Sequence, residues 1–129
     1  MLFRSQIYSI KNNQVRTLAH NIGRCLQVSS YNNLYFSFID SYSTRWLCRI
    51  EHDGTITKLI EFLSGVEDFV VSNNNTIFCA QNGILFYTDL NFNQGWRMCA
   101  NFESVGIKHI SRLALNPSNK LIVFVNSED

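Results

Sequence analysis

The sequence has few of the residues that interrupt a chain or charge its surface: one proline, six glycines and 16% charged residues among 129. A net charge of +1 argues against electrostatic binding to nucleic acid or to an anionic membrane. No apolar run approaches the roughly 20 residues that span a bilayer, and the opening residues lack the pattern of a secretory signal. We therefore expect neither nucleic acid nor a membrane as a partner. The compartment is unassigned, and it is cytoplasmic if the chain is complete.

Motifs for metal, cofactor or redox chemistry are also lacking. The four cysteines are Cys25, Cys48, Cys79 and Cys99. No two of them form a C-x-x-C pair; four thiols allow three disulfide pairings, but we expect free thiols that act as small hydrophobic residues on strands. The three histidines are His20, His52 and His109. Their spacing fits no zinc pattern, so we expect no metal and no cofactor.

A repeat is the main positive signal. Three stretches, 26–36, 69–78 and 113–124, share a hydrophobic strand, a turn rich in asparagine and serine, and a second hydrophobic strand. If Val28, Val71 and Leu115 are equivalent, the repeat recurs after 43 and then 44 residues. A period of about 40–50 residues with four strands per unit is typical of β-propeller blades.

Alternating hydrophobicity and turn residues predict twelve strands and an all-β chain. The predicted strands are 5–10, 14–19, 25–30, 34–40, 44–50, 55–62, 67–72, 76–80, 84–89, 96–102, 110–115 and 121–126. They divide the chain into a half blade (1–22), two blades (23–64 and 65–107) and a second half blade (108–129). The first half has the third and fourth strands of a blade, and the last half has the first and second. Helices are not expected, because glycine and Asn/Ser clusters interrupt every apolar run.

Two segments carry a family resemblance. The turn Asn116-Pro117-Ser118-Asn119-Lys120, followed by a hydrophobic strand, resembles the Ser-Pro-Asp-Gly-Lys turn of the TolB-type propeller repeat. The hairpin over 47–59, with Asp53-Gly54 at its turn, looks like another hairpin of that family. The resemblance implies a six-bladed ring used mostly for protein contacts and sometimes for catalysis. The resemblance does not assign a function to any individual residue of this sequence.

The first strand of a propeller blade lines the central channel, so polar residues there are candidate binding residues. The candidates at the channel mouth are Arg24, Glu67, Asp68, His109 and Arg112. Charges of both signs could bind a ligand or the tail of a partner protein, and the plainer alternative is that they are ordinary solvated charges. Because adjacent residues on a strand point to opposite faces, the two acidic residues are not expected to form a catalytic pair.

Three aromatic residues are further candidates. Phe92 lies in the longest loop of the second repeat, over 91–95, and is a candidate for contact with a partner. Trp46 and Trp96 fall on predicted strands, where they are expected to pack between blades rather than to bind sugar.

Several hypotheses follow for function. The first is a propeller that serves as a binding and scaffold module for a protein partner. The half blades allow the chain to be part of a longer propeller, or to dimerise head-to-tail by blade completion, since open sheet edges are pairing surfaces. Closure of one chain as three blades ranks last. The alternative from another class is a hydrolase or lyase with its site at the channel mouth, although no catalytic residue is identified.

Overall fold

Strands make up more than half of the residues that the structure describes. The computed structural model describes residues 6–20, 24–28 and 33–127. The strands in these ranges are β1 (Gln6–Lys11), β2 (Gln14–His20), β3 (Arg24–Val28), β4 (Leu34–Ile39), β5 (Arg45–Ile50), β6 (Ile56–Glu61), β7 (Phe69–Val71), β8 (Thr76–Gln81), β9 (Ile84–Asp89), β10 (Arg97–Asn101), β11 (Ile110–Leu115) and β12 (Ile122–Asn126). A short 3-10 turn, Glu103–Val105, precedes β11. The all-β prediction is confirmed.

The strands form four antiparallel sheets in chain order. Sheet 1 is β1-β2, sheet 2 is β3-β4-β5-β6, sheet 3 is β7-β8-β9-β10 and sheet 4 is β11-β12. Each strand pairs with the strand before or after it along the chain, so every sheet is a simple meander. The described part of the chain therefore has the predicted series of two, four, four and two strands.

Asparagine residues make many of the hairpin turns. Asn12, Asn13, Asn75, Asn82 and Asn119 all adopt positive φ angles, between 52° and 63°. Asparagine tolerates this left-handed conformation better than most residues. The turns that the Asn/Ser clusters predicted thus form for a stereochemical reason.

The sheets stack face to face, and a hydrophobic cluster fills each of the three interfaces. Between sheets 1 and 2 the buried residues are Ile7, Phe36, Cys48 and Ile50. Between sheets 2 and 3 they are Tyr35, Leu47, Ile60, Phe62, Val66, Phe69, Val71, Ile77 and Cys79. Between sheets 3 and 4 they are Val70, Ala80, Leu85, Ile110 and Leu113. Since successive residues of a strand point to opposite faces, sheets 2 and 3 each bury apolar side chains on both faces.

Several predicted strand boundaries differ from the observed ones by one residue, and those of β7 differ most. The strand predicted at 67–72 covers only Phe69–Val71, because the carbonyl of Glu67 accepts hydrogen bonds from the side chains of Cys25 and Arg45 instead of from a neighbouring strand. Trp96 lies one residue before β10. Its ring stacks on Phe62, with 5.8 Å between centroids.

Trp96 still contributes to the contact between sheets, as expected. Its indole N–H donates a 2.9 Å hydrogen bond to the carbonyl oxygen of Glu61, at the end of β6. The other tryptophan, Trp46, lies on β5 as predicted and packs against the cluster between sheets 1 and 2. Both tryptophans are therefore parts of the packing between sheets.

The turn between β8 and β9 anchors the connection to sheet 4. The carbonyl oxygen of Asn82 accepts a 2.8 Å hydrogen bond from the N–H of Ile110, and that of Gly83 accepts a 2.9 Å bond from the N–H of Phe102. A Cβ atom on Gly83 would overlap the carbonyl oxygen of Ile107. Glycine is thus required here by close approach of two backbone segments.

Candidate functional site

The first strands of sheets 2, 3 and 4 lie side by side near their starting ends. The Sγ atom of Cys25, on β3, lies 3.4 Å from the carbonyl oxygen of Glu67, just before β7. The carboxylate of Asp68, also before β7, accepts a 2.8 Å hydrogen bond from the backbone N–H of Leu113 on β11. Residues that are about 43 positions apart in the sequence are thereby brought into one region.

Three of the candidate residues meet there. The Oε2 atom of Glu67 lies 3.5 Å from Nε2 of His109 and 4.0 Å from Nη1 of Arg112. We call these three residues the Glu67 cluster. All three side chains are partly exposed, so water screens their attraction and the ion pairs contribute little to stability. The Glu67 cluster is therefore an accessible group of charges of both signs.

The other two candidates at the channel mouth are placed differently. The side chain of Asp68 is directed to β11, where it bonds to Leu113, and within the described ranges it forms no ion pair with the Glu67 cluster. Arg24 begins β3 and pairs with Ser37, but its side chain lies outside the described residues. The expectation that the adjacent acidic residues point apart agrees with this geometry.

Phe92 is only partly available for contact with a partner. Its side chain is 37% exposed, and its ring meets Trp96 edge-on, with 6.0 Å between centroids. Its N–H donates to both the backbone and the side-chain oxygen of Asp89, which fixes the loop. Part of this aromatic surface thus supports the packing of Trp96.

A cavity of about 430 Å³ extends from Glu67 along the connection between sheets 2 and 3. Its lining includes Arg45 and Glu61, and it is closed on one side by the turn between β4 and β5. The sequence did not reveal this cavity, because its walls come from loops about 20 residues apart that carry no motif. The grouping of charges in both loops is the only signal that could have pointed to it.

Asp40 fixes one wall of that cavity. Its carboxylate accepts hydrogen bonds from the backbone N–H groups of Thr44 and Tyr42 and from the indole N–H of Trp46. These bonds, that from Thr44 foremost, lower the pKa of Asp40 below its ordinary value. The carboxylate of Asp40 therefore stabilises the turn between β4 and β5.

A second cavity, of about 290 Å³, lies at the opposite ends of the first strands. It is lined by residues of all three strands, Val28, Val71 and Leu115 among them. The turns after β7 and β11 meet beside it, where the N–H of Asn73 donates to the side-chain oxygen of Asn119. This second cavity, unlike the first, is therefore lined by the first strands themselves.

The sequence was compared with protein-family models, curated proteins and solved structures. No match was found.

The described residues include all four cysteines, and no disulfide joins them. Burial raises the pKa of the Cys48 thiol to about 11 and raises that of Cys79 further, whereas Cys99 is exposed. Within the described ranges, no three His, Cys, Asp or Glu side chains cluster as a metal site would require. In the same ranges, no helix is long and apolar enough to cross a membrane.

Proposed function

We propose that this chain forms β-propeller blades similar to those of the TolB type and serves as a binding and scaffold module for a protein partner. The observation that carries the proposal is the stacking of meander sheets in chain order. Each four-stranded sheet packs both faces against its neighbours, and the first strands lie side by side. Blades of a propeller pack in this way around a central channel.

The binding site in this proposal is the Glu67 cluster together with the adjoining cavity. Glu67 offers a carboxylate, and Arg112 offers a guanidinium group that suits planar carboxylates. The cavity of about 430 Å³ lies in the size range of pockets that bind small ligands, and in this proposal it takes the end of a peptide. A tail that carries both a basic residue and a terminal carboxylate fits this arrangement of charges.

The alternative, a hydrolase or lyase, gains no specific support. It needs acidic or histidine side chains that converge on a reacting atom. Asp68 is instead hydrogen-bonded to Leu113, which leaves one carboxylate beside one histidine in the Glu67 cluster. A binding function needs only the charges that are present.

The test is a selection of peptides with free carboxyl termini from a random library, followed by affinity measurement with Glu67→Ala and Arg112→Ala. Each substitution is expected to weaken binding of a selected peptide roughly tenfold, about 1.4 kcal/mol. Arg49→Ala is the matched control, because Arg49 also forms an exposed ion pair, with Glu51, and should leave the affinity unchanged.

Two results would overturn this proposal. One is that no selected peptide depends on Glu67 or Arg112. The other is turnover of chromogenic ester, phosphate or glycoside substrates that is lost in Glu67→Ala while the fold is intact, since that would make the protein an enzyme.

A further inference from the structure

Sheets 1 and 4 correspond to complementary halves of the four-stranded sheets. The first strand of sheet 4, β11, lies beside β7, the first strand of sheet 3. In sheet 1, Ile7 on β1 packs against β4 and β5, and Arg16 on β2 bonds to the carbonyl of His52 in the turn between β5 and β6. Sheet 4 thus matches the first and second strands of a four-stranded sheet, and sheet 1 matches the third and fourth. In sheets 2 and 3, the second and third strands pair directly. The strands that correspond to them in the half sheets are β12 and β1.

The outer edge of β12 presents backbone hydrogen-bonding groups. The N–H of Ser127 donates to His109, and the carbonyl of Leu121 accepts from Asn116, so these odd-numbered positions face β11. Backbone groups alternate along a strand, and those of Ile122 and Phe124 therefore point away from β11. An edge of this kind is ready to pair with another strand.

Each half sheet also presents apolar side chains on its outward face. In sheet 1, Ile7 is buried against sheet 2, while Ile10 and its cross-strand neighbour Val15 point away and are 75% and 64% exposed. In sheet 4, Val123 and Val125 point away from sheet 3 and are each 53% exposed. More than half of each of these four apolar residues is exposed to water. Contiguous apolar side chains of this kind mark a surface that another sheet can cover.

At the matching places, sheet 2 carries an exposed side chain and sheet 3 a half-buried one. Val28 on β3 is exposed and shares a face with its neighbour Leu34, which packs toward sheet 1. The first and second strands of a complete sheet 1 would cover it. On the other side, Tyr87 on β9 shares a face with Phe78, which packs toward sheet 4. Tyr87 is half-buried, and the guanidinium of Arg97 lies 4.7 Å from the centroid of its ring. The third and fourth strands of a complete sheet 4 would cover this side of sheet 3.

We infer that a second copy of this chain supplies the missing strands, with β12 of each copy pairing with β1 of the other. Val123 and Val125 of one copy then cover Val28 of the second copy, and Ile10 and Val15 of the second copy cover the side of sheet 3 that carries Tyr87. Two chains thereby share two completed sheets and form a closed ring of six four-stranded sheets. The inference rests on the proposed propeller architecture.

A second copy fits better than an unrelated partner, because the same chain carries both complementary halves. A head-to-tail contact of this kind uses two different surfaces of each subunit and closes only if the rotation permits. We call each junction between β12 of one copy and β1 of the other a seam. The two seams of the ring are equivalent, so a substitution that is present in both copies alters both seams.

The first test is the absolute mass of the protein by light scattering over a concentration series. A stable species near twice the 14.9 kDa chain mass supports the inference. A monomer at all concentrations, or open polymers that grow with concentration, would overturn it.

Substitutions on the outward faces make the test specific. Val123→Asp and Ile10→Asp should each shift the protein to monomer, because a carboxylate would be buried without a partner in both seams. Val105→Asp is the matched control, because Val105 is also an exposed valine, at 72%, but lies on the 3-10 turn and not on either half sheet. The Val105→Asp variant should remain a dimer. Near-UV circular dichroism and urea unfolding show whether each variant is folded. If Val123→Asp does not fold, Val125→Lys takes its place.

Mixing the two variants gives the decisive result. Val123→Asp and Ile10→Asp chains together retain one unaltered seam, so they should form a heterodimer that dissociates at higher concentration than the parent dimer. Variants that stay dimeric alone, or a mixture that stays monomeric, would overturn the inference. A folded monomer that still binds peptide through Glu67 and Arg112 would overturn only the second-copy inference and leave the binding function standing.

Discussion

The carboxylate of Asp68 accepts a 2.8 Å hydrogen bond from the backbone N–H of Leu113, which ties the start of sheet 3 to the first strand of sheet 4. The side chain of the preceding residue, Glu67, lies instead beside His109 and Arg112 at the surface. Neighbouring residues of an extended chain point in opposite directions. Two adjacent carboxylates thus have separate roles, one in joining sheets and one in the candidate binding site.

Replacement of Asp68 should destabilise the fold, whereas replacement of Glu67 should not. Asp68→Ala leaves the N–H of Leu113 without its acceptor, and the expected loss in the free energy of unfolding is about 1–3 kcal/mol. Glu67→Ala removes only exposed ion pairs, and its expected effect lies within about 0.5 kcal/mol. Urea unfolding measures both values. Equal losses for the two variants would contradict the separate roles.

Gly83→Ala should loosen the connection between sheets 3 and 4. The added methyl group would overlap the carbonyl oxygen of Ile107, and overpacking of this kind costs typically about 1–3 kcal/mol. Hydrogen exchange of the Phe102 and Ile110 amides, which bond to this turn, is expected to accelerate. Gly95→Ala is the control, because a Cβ there meets open space.

Gly95→Ala should strain the backbone locally without affecting the turn at Gly83. Gly95 has a φ of 66°, so alanine strains the backbone by about 1–2 kcal/mol without a clash. The amides of Phe102 and Ile110 should then exchange as in the parent protein. Faster exchange of these amides in Gly95→Ala, or unchanged exchange in Gly83→Ala, would count against the close approach.

The thiols should differ sharply in reactivity. Cys99 is exposed and is expected to react with a disulfide reagent at pH 8, whereas Cys48 and Cys79 are buried and should react only on unfolding. Spectrophotometric titration in the presence and absence of denaturant counts the thiols that react. Rapid reaction of Cys48 and Cys79 in the native protein would show that the interfaces between sheets are open.

The same burial predicts a dependence of stability on alkaline pH. In the unfolded chain a thiol ionises near its ordinary pKa of 9.0, whereas Cys48 in the folded chain stays protonated until about pH 11. The contribution of the protonated Cys48 thiol to the free energy of unfolding is therefore fully present below pH 9, and it is lost as the pH rises through about 11. Thermal unfolding of Cys48→Ala between pH 8 and 11 should show a weaker decline than the parent protein.

The sequence predicted the strand order well because each hairpin carries its own local signal. Turns with Asn12, Asn82 or Asn119 at positive φ are encoded within a few residues, and alternation of apolar residues marks the strands between them. The expected direction of Glu67 and Asp68 came from the same alternation. Local rules therefore sufficed for the number and order of the described strands.

Features that depend on distant contacts could not be read in this way. The short β7 reflects bonds from Cys25 and Arg45 to the carbonyl of Glu67, and Trp96 leaves its strand to stack on Phe62. The cavity beside Glu67 is formed by two separate loops. Each depends on how one sheet packs on the next, which no local pattern specifies.

Nuclear Overhauser contacts between labelled aromatic rings test most directly whether consecutive sheets stack face to face in chain order. This stacking predicts contacts of Phe62 with Phe69 and Trp96, whose ring centroids are 5.4 Å and 5.8 Å away. It also predicts a contact between Phe102 and Phe124, at 5.3 Å. Absence of these contacts, or contacts between Phe36 in sheet 2 and Phe124 in sheet 4, would contradict the stacking order.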